Sequence, residues 1–307
     1  MGGHGGGGTA GARGGGAVRR LWIGPAGERL CVTLPLEPDG EGVPARSGRP
    51  WLLALHGFTG SWRTWRTLAR QVRGRMRVAV AEAPGHGDSD APPDPAAYDL
   101  WRGADRLAEA IGRISPDRPV HVLGYSMGGR LALHLALAHP EGVSSLVLEG
   151  ASPGIEDEAE RRARQEADEA LAAQIERQGV AAFVARWQAL PLFAGQAAMA
   201  ERRRAALRRE RLGQRAEGLA ASLRGAGAGR QDNLWPRLGQ LAVPVLFVAG
   251  ARDERYAAIG RRLVAAVPRA RLALVARAGH SAHLERPLSF RRAVEAFWDE
   301  IGATAPP

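Results

Sequence analysis

Apolar side chains occur along the chain in short continuous runs that alternate with segments of three-to-four-residue periodicity. Continuous runs are typical of strands buried on both faces, and the longer spacing is typical of amphipathic helices. Strands are predicted at 20–24, 30–36, 51–55, 76–81, 120–123, 145–149, 244–249 and 271–276, and core helices at 98–114, 130–139, 256–267 and 287–301. This order predicts an α/β fold, with a mostly parallel central sheet flanked by helices.

The alternation is interrupted between residues 151 and 234, where the sequence has helical periodicity, many arginines and no strand signal. Helices are predicted there at 157–177, 180–187, 199–215 and 218–223. Helices inserted at the ligand-binding edge of a sheet form a lid. We therefore predict a core of residues 19–150 and 235–307, a helical lid of residues 151–234, and a disordered glycine-rich tail of residues 1–18.

The most informative motif is VHVLGYSMGG, residues 120–129, which places Ser126 between a predicted strand and a predicted helix. A G-x-S-x-G motif on such a strand–turn–helix unit is typical of the nucleophile elbow of the α/β-hydrolase fold. The turn strains the serine backbone, and any side chain at Gly124 or Gly128 would collide with the adjoining elements. The motif therefore predicts a functional serine.

A serine hydroxyl needs a neighbouring base and a carboxylate behind that base, and in this fold the chain order is Ser, acid, His. Asp253 follows the strand at 244–249, and His280 follows the strand at 271–276. Both are therefore expected at the same sheet edge as Ser126. We predict a Ser126–His280–Asp253 triad, with Glu254 pointing elsewhere and His283 serving a packing role.

Two other loops also follow predicted strands. The HGFT segment after residue 55 suits the second oxyanion donor, so the backbone N–H groups of Phe58 and Met127 are the predicted oxyanion hole. His56 is expected to fasten its loop by hydrogen bonds. His86, in the PGHG segment, either contacts substrate or orients the loop.

Length and composition exclude several classes of protein. The 307 residues, 45% of them hydrophobic, suffice for one sizeable domain with an insertion, and the longest apolar run is too short to span a membrane. Cys31 is the only cysteine, which excludes an internal disulfide and favours a reducing cytoplasm. Cys31 itself is predicted to be a small buried residue. The sequence shows neither a metal-ligand cluster nor a cofactor fingerprint, and both a monomer and a small homo-oligomer stay open.

The net charge of +10 comes entirely from arginine, because the chain contains no lysine. We interpret most of this charge as a solvated surface rather than a nucleic-acid groove. Arg130 is different, because it lies one helical turn after Ser126 and should face the same cavity. It forms either an ion pair with a neighbouring loop or a carboxylate clamp. With an inward arginine from each of two lid helices, the predicted partner is a small polycarboxylate substrate; the candidates are Arg161, Arg162, Arg164, Arg208, Arg209 and Arg211.

Several segments together resemble 2-succinyl-6-hydroxy-2,4-cyclohexadiene-1-carboxylate synthase of menaquinone biosynthesis. They include HGFTGS, PGHG, GYSMGGR, EGASPGI, RARQEAD and AGHSAHLERP, within a stretch from about Trp51 to Trp298. The resemblance implies a lyase that removes a proton next to the succinyl ketone of its substrate and expels pyruvate. Ser126 would then be the general base rather than an acylated nucleophile.

The resemblance also implies a set of substrate-binding residues, and in one case leaves two candidates. The implied anion-binding residues are Arg130, Arg164 and Arg211, with Arg208 as the alternative to Arg211, and Tyr125 and Trp187 would line the pocket. Two rival functions stay open at this point. One is an ordinary serine hydrolase, either a carboxylesterase or a C–C bond hydrolase, and the other is a non-catalytic anion-binding protein.

Overall fold

The computed structural model describes residues 18–35 and 48–303. The predicted glycine-rich tail of residues 1–18 lies outside this range except for Val18, which belongs to the first strand. The strands are β1 (Val18–Ile23), β2 (Leu30–Pro35), β3 (Trp51–Leu55), β4 (Arg77–Ala81), β5 (Val120–Tyr125), β6 (Val143–Glu149), β7 (Val245–Gly250) and β8 (Ala270–Val275). The helices are α1 (Arg66–Val72), α2 (Leu100–Ile114), α3 (Met127–Ala138), α4 (Glu158–Gln188), α5 (Glu201–Leu212), α6 (Ala216–Ala226), α7 (Glu254–Ala266), α8 (Ala282–Glu285) and α9 (Pro287–Glu300).

The eight strands form one sheet in the order β1-β2-β4-β3-β5-β6-β7-β8. Strands β3 to β8 are all parallel to one another, whereas β1 and β2 form an antiparallel hairpin in which β2 pairs antiparallel with β4. The chain runs outward from β3 to β4 and then returns to the other side of β3 as β5. Ligands of open α/β sheets bind at such a reversal, outside the carboxyl ends of the strands.

Hydrophobic side chains on both faces of the sheet explain the continuous apolar runs. Every residue of β3 and β5 is buried. Helices α2, α3 and α7 cover one face, and α1 and α9 cover the other. Cys31 is fully buried in β2, as the sequence predicted. The predicted fold class is confirmed.

The segment of residues 151–234, which we call the lid segment, contains α4, α5 and α6 and lies between β6 and β7 in the chain. Its own apolar cluster, which includes Ile175, Phe183 and Leu219, joins α4 to α6. Helix α4 spans the two helices that the sequence predicted, and its break at Gly179 has a left-handed φ of 76°. On the outer surface, Arg224 of α6 forms ion pairs with two glutamates of α4.

Some elements were not predicted. Helix α1 has only seven residues, and a 3-10 turn (Pro191–Ala198) lies between α4 and α5. Neither segment is long enough for its periodicity to distinguish it from a loop. None of the helices in the described part of the chain has the length and apolarity needed to cross a membrane.

Candidate active site

Ser126 occupies a strained turn between β5 and α3. Its φ of 50° and ψ of −109° lie in a region that non-glycine residues rarely adopt. Its N–H donates to the Glu149 carbonyl at 2.8 Å, which holds the turn against β6. A Cβ atom on Gly124 would lie 2.4 Å from the Gly128 carbonyl oxygen, and one on Gly128 would lie 2.5 Å from that of Leu55. Glycine is therefore required at both positions.

The structure brings the three predicted catalytic side chains together. The Nε2 atom of His280 lies 3.2 Å from Ser126 Oγ, and its Nδ1 atom lies 2.8 Å from Asp253 Oδ2. The His280 side chain is 2% exposed and that of Asp253 is 8% exposed, so water competes little for these hydrogen bonds. The other carboxylate oxygen of Asp253 accepts the Tyr256 N–H at the start of α7, which fixes the carboxylate from behind. Glu254 is exposed, as predicted.

Ser126 opens into a cavity of about 500 Å³ between the carboxyl edge of the sheet and the lid segment. Phe58 and Met127 both line this cavity. Met127 is the first residue of α3, so its N–H has no acceptor within the helix and lies at the positive end of the helix dipole. Phe58 lies in the turn closed by the hydrogen bond from the Gly60 N–H to the Gly57 carbonyl. Both residues predicted to supply the oxyanion donors therefore line the cavity into which Ser126 opens.

Three arginines of the cavity wall come from three different helices. Arg130 of α3 donates to the Ala226 carbonyl at 2.8 Å, and burial lowers its pKa to about 10, so it stays charged at neutral pH. Arg164 of α4 pairs with the buried Asp168 at 2.9 Å. Arg211 of α5 is only 4% exposed and lines the same cavity. The cavity wall therefore carries a guanidinium group from each of these three helices, together with the acidic side chains of Glu160 and Asp168.

The structure shows which of Arg208 and Arg211 lines the cavity. Arg208 is exposed and does not line the cavity, whereas Arg211 is buried in the cavity wall over the Phe193 ring. Arg161 forms an ion pair with Glu158 on the lid surface instead. Arg211 is thus the lid arginine of α5 that is placed to meet a ligand.

Aromatic side chains also line the cavity, next to Arg211. Trp187 lies between Phe58 and Phe193, with ring centroids 5.5 and 5.4 Å away. Tyr125, next to Ser126 in the chain, lines the cavity and is 2.7 Å from Ser281 through its hydroxyl. Burial raises the pKa of Tyr125, so its phenol is neutral.

His86 does not lie where a substrate contact requires it to be. It is fully buried behind Phe58 and is not part of the cavity lining. Its Nδ1 atom lies 3.0 Å from the Pro84 carbonyl, and burial lowers its pKa to about 3. The structure therefore contradicts its assignment as a substrate-binding residue and favours the loop-orienting alternative. His56 likewise joins two loops, accepting the Ala83 N–H at 3.1 Å.

His283 packs as predicted, between the Trp65 and Tyr125 rings at 4.7 and 4.6 Å. The sequence did not indicate its charged neighbour. Its Nδ1 atom lies 2.8 Å from the buried Glu149 carboxylate, whose other oxygen accepts the His283 N–H. This pair fastens the loop after His280 to the end of β6.

Other residues that the sequence did not single out attach the lid segment to the core. Glu210 accepts hydrogen bonds from the N–H and hydroxyl of Ser61 at 2.9 and 2.7 Å, and burial raises its pKa. Gln214 donates to the Gly60 carbonyl at 3.0 Å. These contacts hold α5, and with it Arg211, against the loop that carries Phe58. They join residues far apart in the chain, so no local pattern signals them.

Cys31, Glu82 and Asp88 also have side-chain atoms within 4.8 Å of one another. The two Glu82 oxygens accept the N–H groups of Trp62 and Asp88. Burial raises the pKa of the Cys31 thiol to about 12, which keeps it protonated. We interpret this cluster as a fastening of the PGHG loop.

Comparison with known proteins agrees with this geometry. A family profile described as alpha/beta hydrolase fold matches residues 50–287. The sheet and the strained serine turn therefore belong to a member of the α/β-hydrolase superfamily.

More specific relatives share both the core and the lid segment. A Bacillus subtilis (strain 168) protein whose name refers to 2-succinyl-6-hydroxy-2,4-cyclohexadiene-1-carboxylate synthase is 40% identical over 81% of this chain and 90% of its own. The synthase of that name from Serratia proteamaculans (strain 568) is 33% identical over 79% of this chain and 90% of its own. The structure of MenH from S. aureus matches with a TM-score of 0.80 and 31% identity, over 84% of this chain and 96% of that one. The chain belongs to the family of 2-succinyl-6-hydroxy-2,4-cyclohexadiene-1-carboxylate synthases.

Proposed function

We propose that the protein is a lyase that eliminates pyruvate from 2-succinyl-5-enolpyruvyl-6-hydroxy-3-cyclohexene-1-carboxylate. The product is 2-succinyl-6-hydroxy-2,4-cyclohexadiene-1-carboxylate, and the pathway is menaquinone biosynthesis. Family membership supplies the reaction. The observation that carries it is one cavity lined by Arg130, Arg164 and Arg211 and by a serine paired with His280.

The names of substrate and product define the bonds that change. The substrate has its ring double bond between C3 and C4, and the product has double bonds at C2–C3 and C4–C5. A proton therefore leaves C2, next to the succinyl ketone, and the electrons shift through the ring as the C5–O bond breaks. The leaving enolpyruvate regains a proton and becomes pyruvate, so the reaction consumes no water.

The triad suits proton removal. His280 takes the Ser126 proton, and the serine oxygen takes the proton from C2. Asp253 holds the imidazole tautomer and stabilises the imidazolium that forms. His280 then holds the proton that the departing enolpyruvate needs. The same serine therefore works as a base without a covalent intermediate.

Negative charge develops on the succinyl ketone oxygen when the C2 proton leaves. Phe58 and Met127 line the same cavity as Ser126, and their N–H groups are the proposed donors to this enolate oxygen. Preorganised backbone donors stabilise such charge without reorganising during the reaction. This stabilisation lowers the barrier to removing a weakly acidic C–H proton.

The substrate carries three carboxylates, on the ring, the succinyl group and the enolpyruvyl group. Guanidinium groups bind carboxylates strongly, and Arg130, Arg164 and Arg211 approach the cavity from three helices. Tyr125 and Trp187 are the proposed apolar walls beside the ring. A neutral ester would offer these guanidinium groups no carboxylate to bind.

A serine hydrolase is the second candidate, because the complete triad and oxyanion donors also suit acyl transfer. A pyruvate-release assay with the purified protein distinguishes the two functions. We expect pyruvate from the wild type and a loss of at least about 10³-fold in Ser126→Ala. Ser115→Ala, at a helix end outside the cavity, is the matched control and should keep full activity. Full activity in Ser126→Ala, or rapid aryl-ester hydrolysis without pyruvate release, would contradict the proposed lyase.

A further inference from the structure

A chain of buried hydrogen bonds joins the lid segment to both catalytic loops. The Arg211 Nη2 atom donates to Gln196 Oε1 at 3.2 Å, and Gln196 Nε2 donates to Ser281 Oγ at 3.1 Å. The Ser281 hydroxyl is in turn 2.7 Å from the Tyr125 hydroxyl. Ser281 follows His280 in the chain, and Tyr125 precedes Ser126. We call this chain the Gln196 link.

The two hydrogen-bond partners of Gln196 permit only one orientation of its side-chain amide. A guanidinium only donates hydrogen bonds, so the Gln196 oxygen must face Arg211 and its nitrogen must face Ser281. Gln196 is 7% exposed and Ser281 is fully buried, so bulk solvent has little access to these hydrogen bonds. An apolar side chain at position 196 would remove the hydrogen bonds that Gln196 makes to Arg211 and to Ser281.

Arg211 has donors to spare for a ligand. Its Nε and Nη1 atoms are buried and have no hydrogen-bond acceptor among the described residues. Buried donors without partners are unfavourable, and a carboxylate bound beside them would remove that cost. Nη2 is the guanidinium nitrogen that Gln196 holds, and the Phe193 ring lies 5.2 Å from the guanidinium carbon. Gln196 and Phe193 together limit how the guanidinium turns.

We propose that Gln196 is a positioning residue that presents Arg211 to a substrate carboxylate and anchors it, through Ser281, to the loop of His280. This inference rests on the proposed function, because it takes the substrate to be an anion. This positioning role requires an uncharged side chain at position 196. A carboxylate at this position would make the same contact to Nη2 but would neutralise Arg211 and compete with the substrate.

The replacement Gln196→Glu separates charge from packing. Glutamate has the same shape, and the Ser281 hydroxyl can rotate to donate to it, so the link stays satisfied. Gln196→Leu instead removes both hydrogen bonds without adding charge. We expect Gln196→Glu to raise KM by roughly tenfold or more with a smaller change in kcat, and Gln196→Leu to raise KM severalfold. A purely structural role predicts the reverse order, because leucine is the greater disruption.

The matched controls are Gln188→Glu and Gln188→Leu, at the end of α4, where the side chain donates to the Val184 carbonyl and does not line the cavity. Both should retain wild-type KM. Thermal unfolding shows whether each variant is folded, and if Gln196→Leu fails to fold, the isosteric Gln196→Glu decides. A KM within twofold of wild type in Gln196→Glu, or a rise no larger than in a folded Gln196→Leu, overturns this proposal alone. A wild-type protein that releases no pyruvate overturns both proposals.

Discussion

The Oγ atom of Ser126 lies 3.2 Å from Nε2 of His280, although 154 residues separate the two in the chain. The serine follows β5 directly, and the histidine lies in the loop after β8. The carboxyl ends of parallel strands lie at one edge of a sheet, so loops from distant parts of the chain meet there. The lid segment then closes this edge into a cavity.

The replacement Asp253→Asn tests the part of the triad that is furthest from the substrate. Asparagine can still cap α7, so the fold should be retained. It no longer holds His280 in the tautomer that accepts the serine proton, so kcat should fall by about 10³–10⁴-fold with little change in KM. Pyruvate release measures the effect, and Glu254→Gln, at the exposed neighbouring position, is the control. Equal rates in Asp253→Asn and wild type would exclude the triad.

Arg130→Ala tests the anion clamp beside the serine. The loss of one charge-assisted contact should cost about 2 kcal/mol of transition-state stabilisation, or roughly 30-fold in kcat/KM. Arg208→Ala removes an exposed arginine of α5 that does not line the cavity and should leave kcat/KM unchanged. If both variants lose activity equally, the overall positive charge rather than a specific contact is responsible.

Gly128→Ala tests the close approach at the serine turn. The added methyl group would meet the Leu55 and His56 carbonyl oxygens at 2.5 Å, and backbone atoms cannot move aside cheaply. We expect a loss of about 1–3 kcal/mol in the free energy of unfolding, or no folded protein. Gly112→Ala, in the exposed interior of α2 with no atom within 4 Å, should instead stabilise by about 0.5–1 kcal/mol. Urea unfolding of both variants measures these changes. An unchanged free energy of unfolding in Gly128→Ala would contradict the close approach at the turn.

Stability should decrease as the pH falls from 6.5 towards 4. Burial lowers the pKa of four histidines from the usual 6.5. The pKa falls to about 3 for His86 and to about 4 for His56, His121 and His134. The unfolded chain binds more protons in this window, so each neutral imidazole loses its stabilising contribution as the pH drops, by up to about 1.4 kcal/mol per pH unit. Glu82 acts in the opposite direction, because burial raises its pKa to about 7. Its contribution to the free energy of unfolding is therefore lost as the pH rises through 7. The four histidines together should outweigh Glu82, so the net free energy of unfolding should fall as the pH drops.

The free energy of unfolding measured in urea at pH 7 and pH 5 tests this expectation. His121→Asn should make the pH dependence shallower, because one of the four groups is removed and asparagine can still bond to Ser145. Equal stability of the wild type at the two pH values would show that the histidines are protonated without unfolding.

The triad was predictable because each member immediately follows a strand signal. Ser126, Asp253 and His280 all occur in loops after apolar runs, and the fold requires such loops to meet at one edge. The catalytic roles of these residues stay predictions that the experiments above test. Arg130 was predictable from its spacing of four residues after Ser126 on a helix, whereas Arg164 was implied by the resemblance. Tyr256, one helical turn after Asp253, could have been found by that spacing, and its ring lies 4.6 Å from the His280 ring.

Other features depended on which faces the helices present to one another. Arg208 and Arg211 occupy one helix in the same basic sequence, and only the packing of α5 against the core places one in solvent and the other in the cavity. His86 follows a strand, as a ligand-contacting residue would, yet Phe58 packs between it and the cavity. Gln196 lies in a short turn without periodicity, so its two partners could not be inferred.

The amino-acid sequence by itself determined the order of strands and helices, the strained turn at Ser126 and the identity of its two partners. These depend on local backbone geometry, on side-chain periodicity and on the rule that parallel strands end at a common edge. Only the tertiary structure decided which lid arginine enters the cavity, where His86 lies and that Gln196 joins Arg211 to Ser281. Those contacts link segments distant in the chain, and they depend on how the lid helices pack against the sheet, which no short-range pattern encodes.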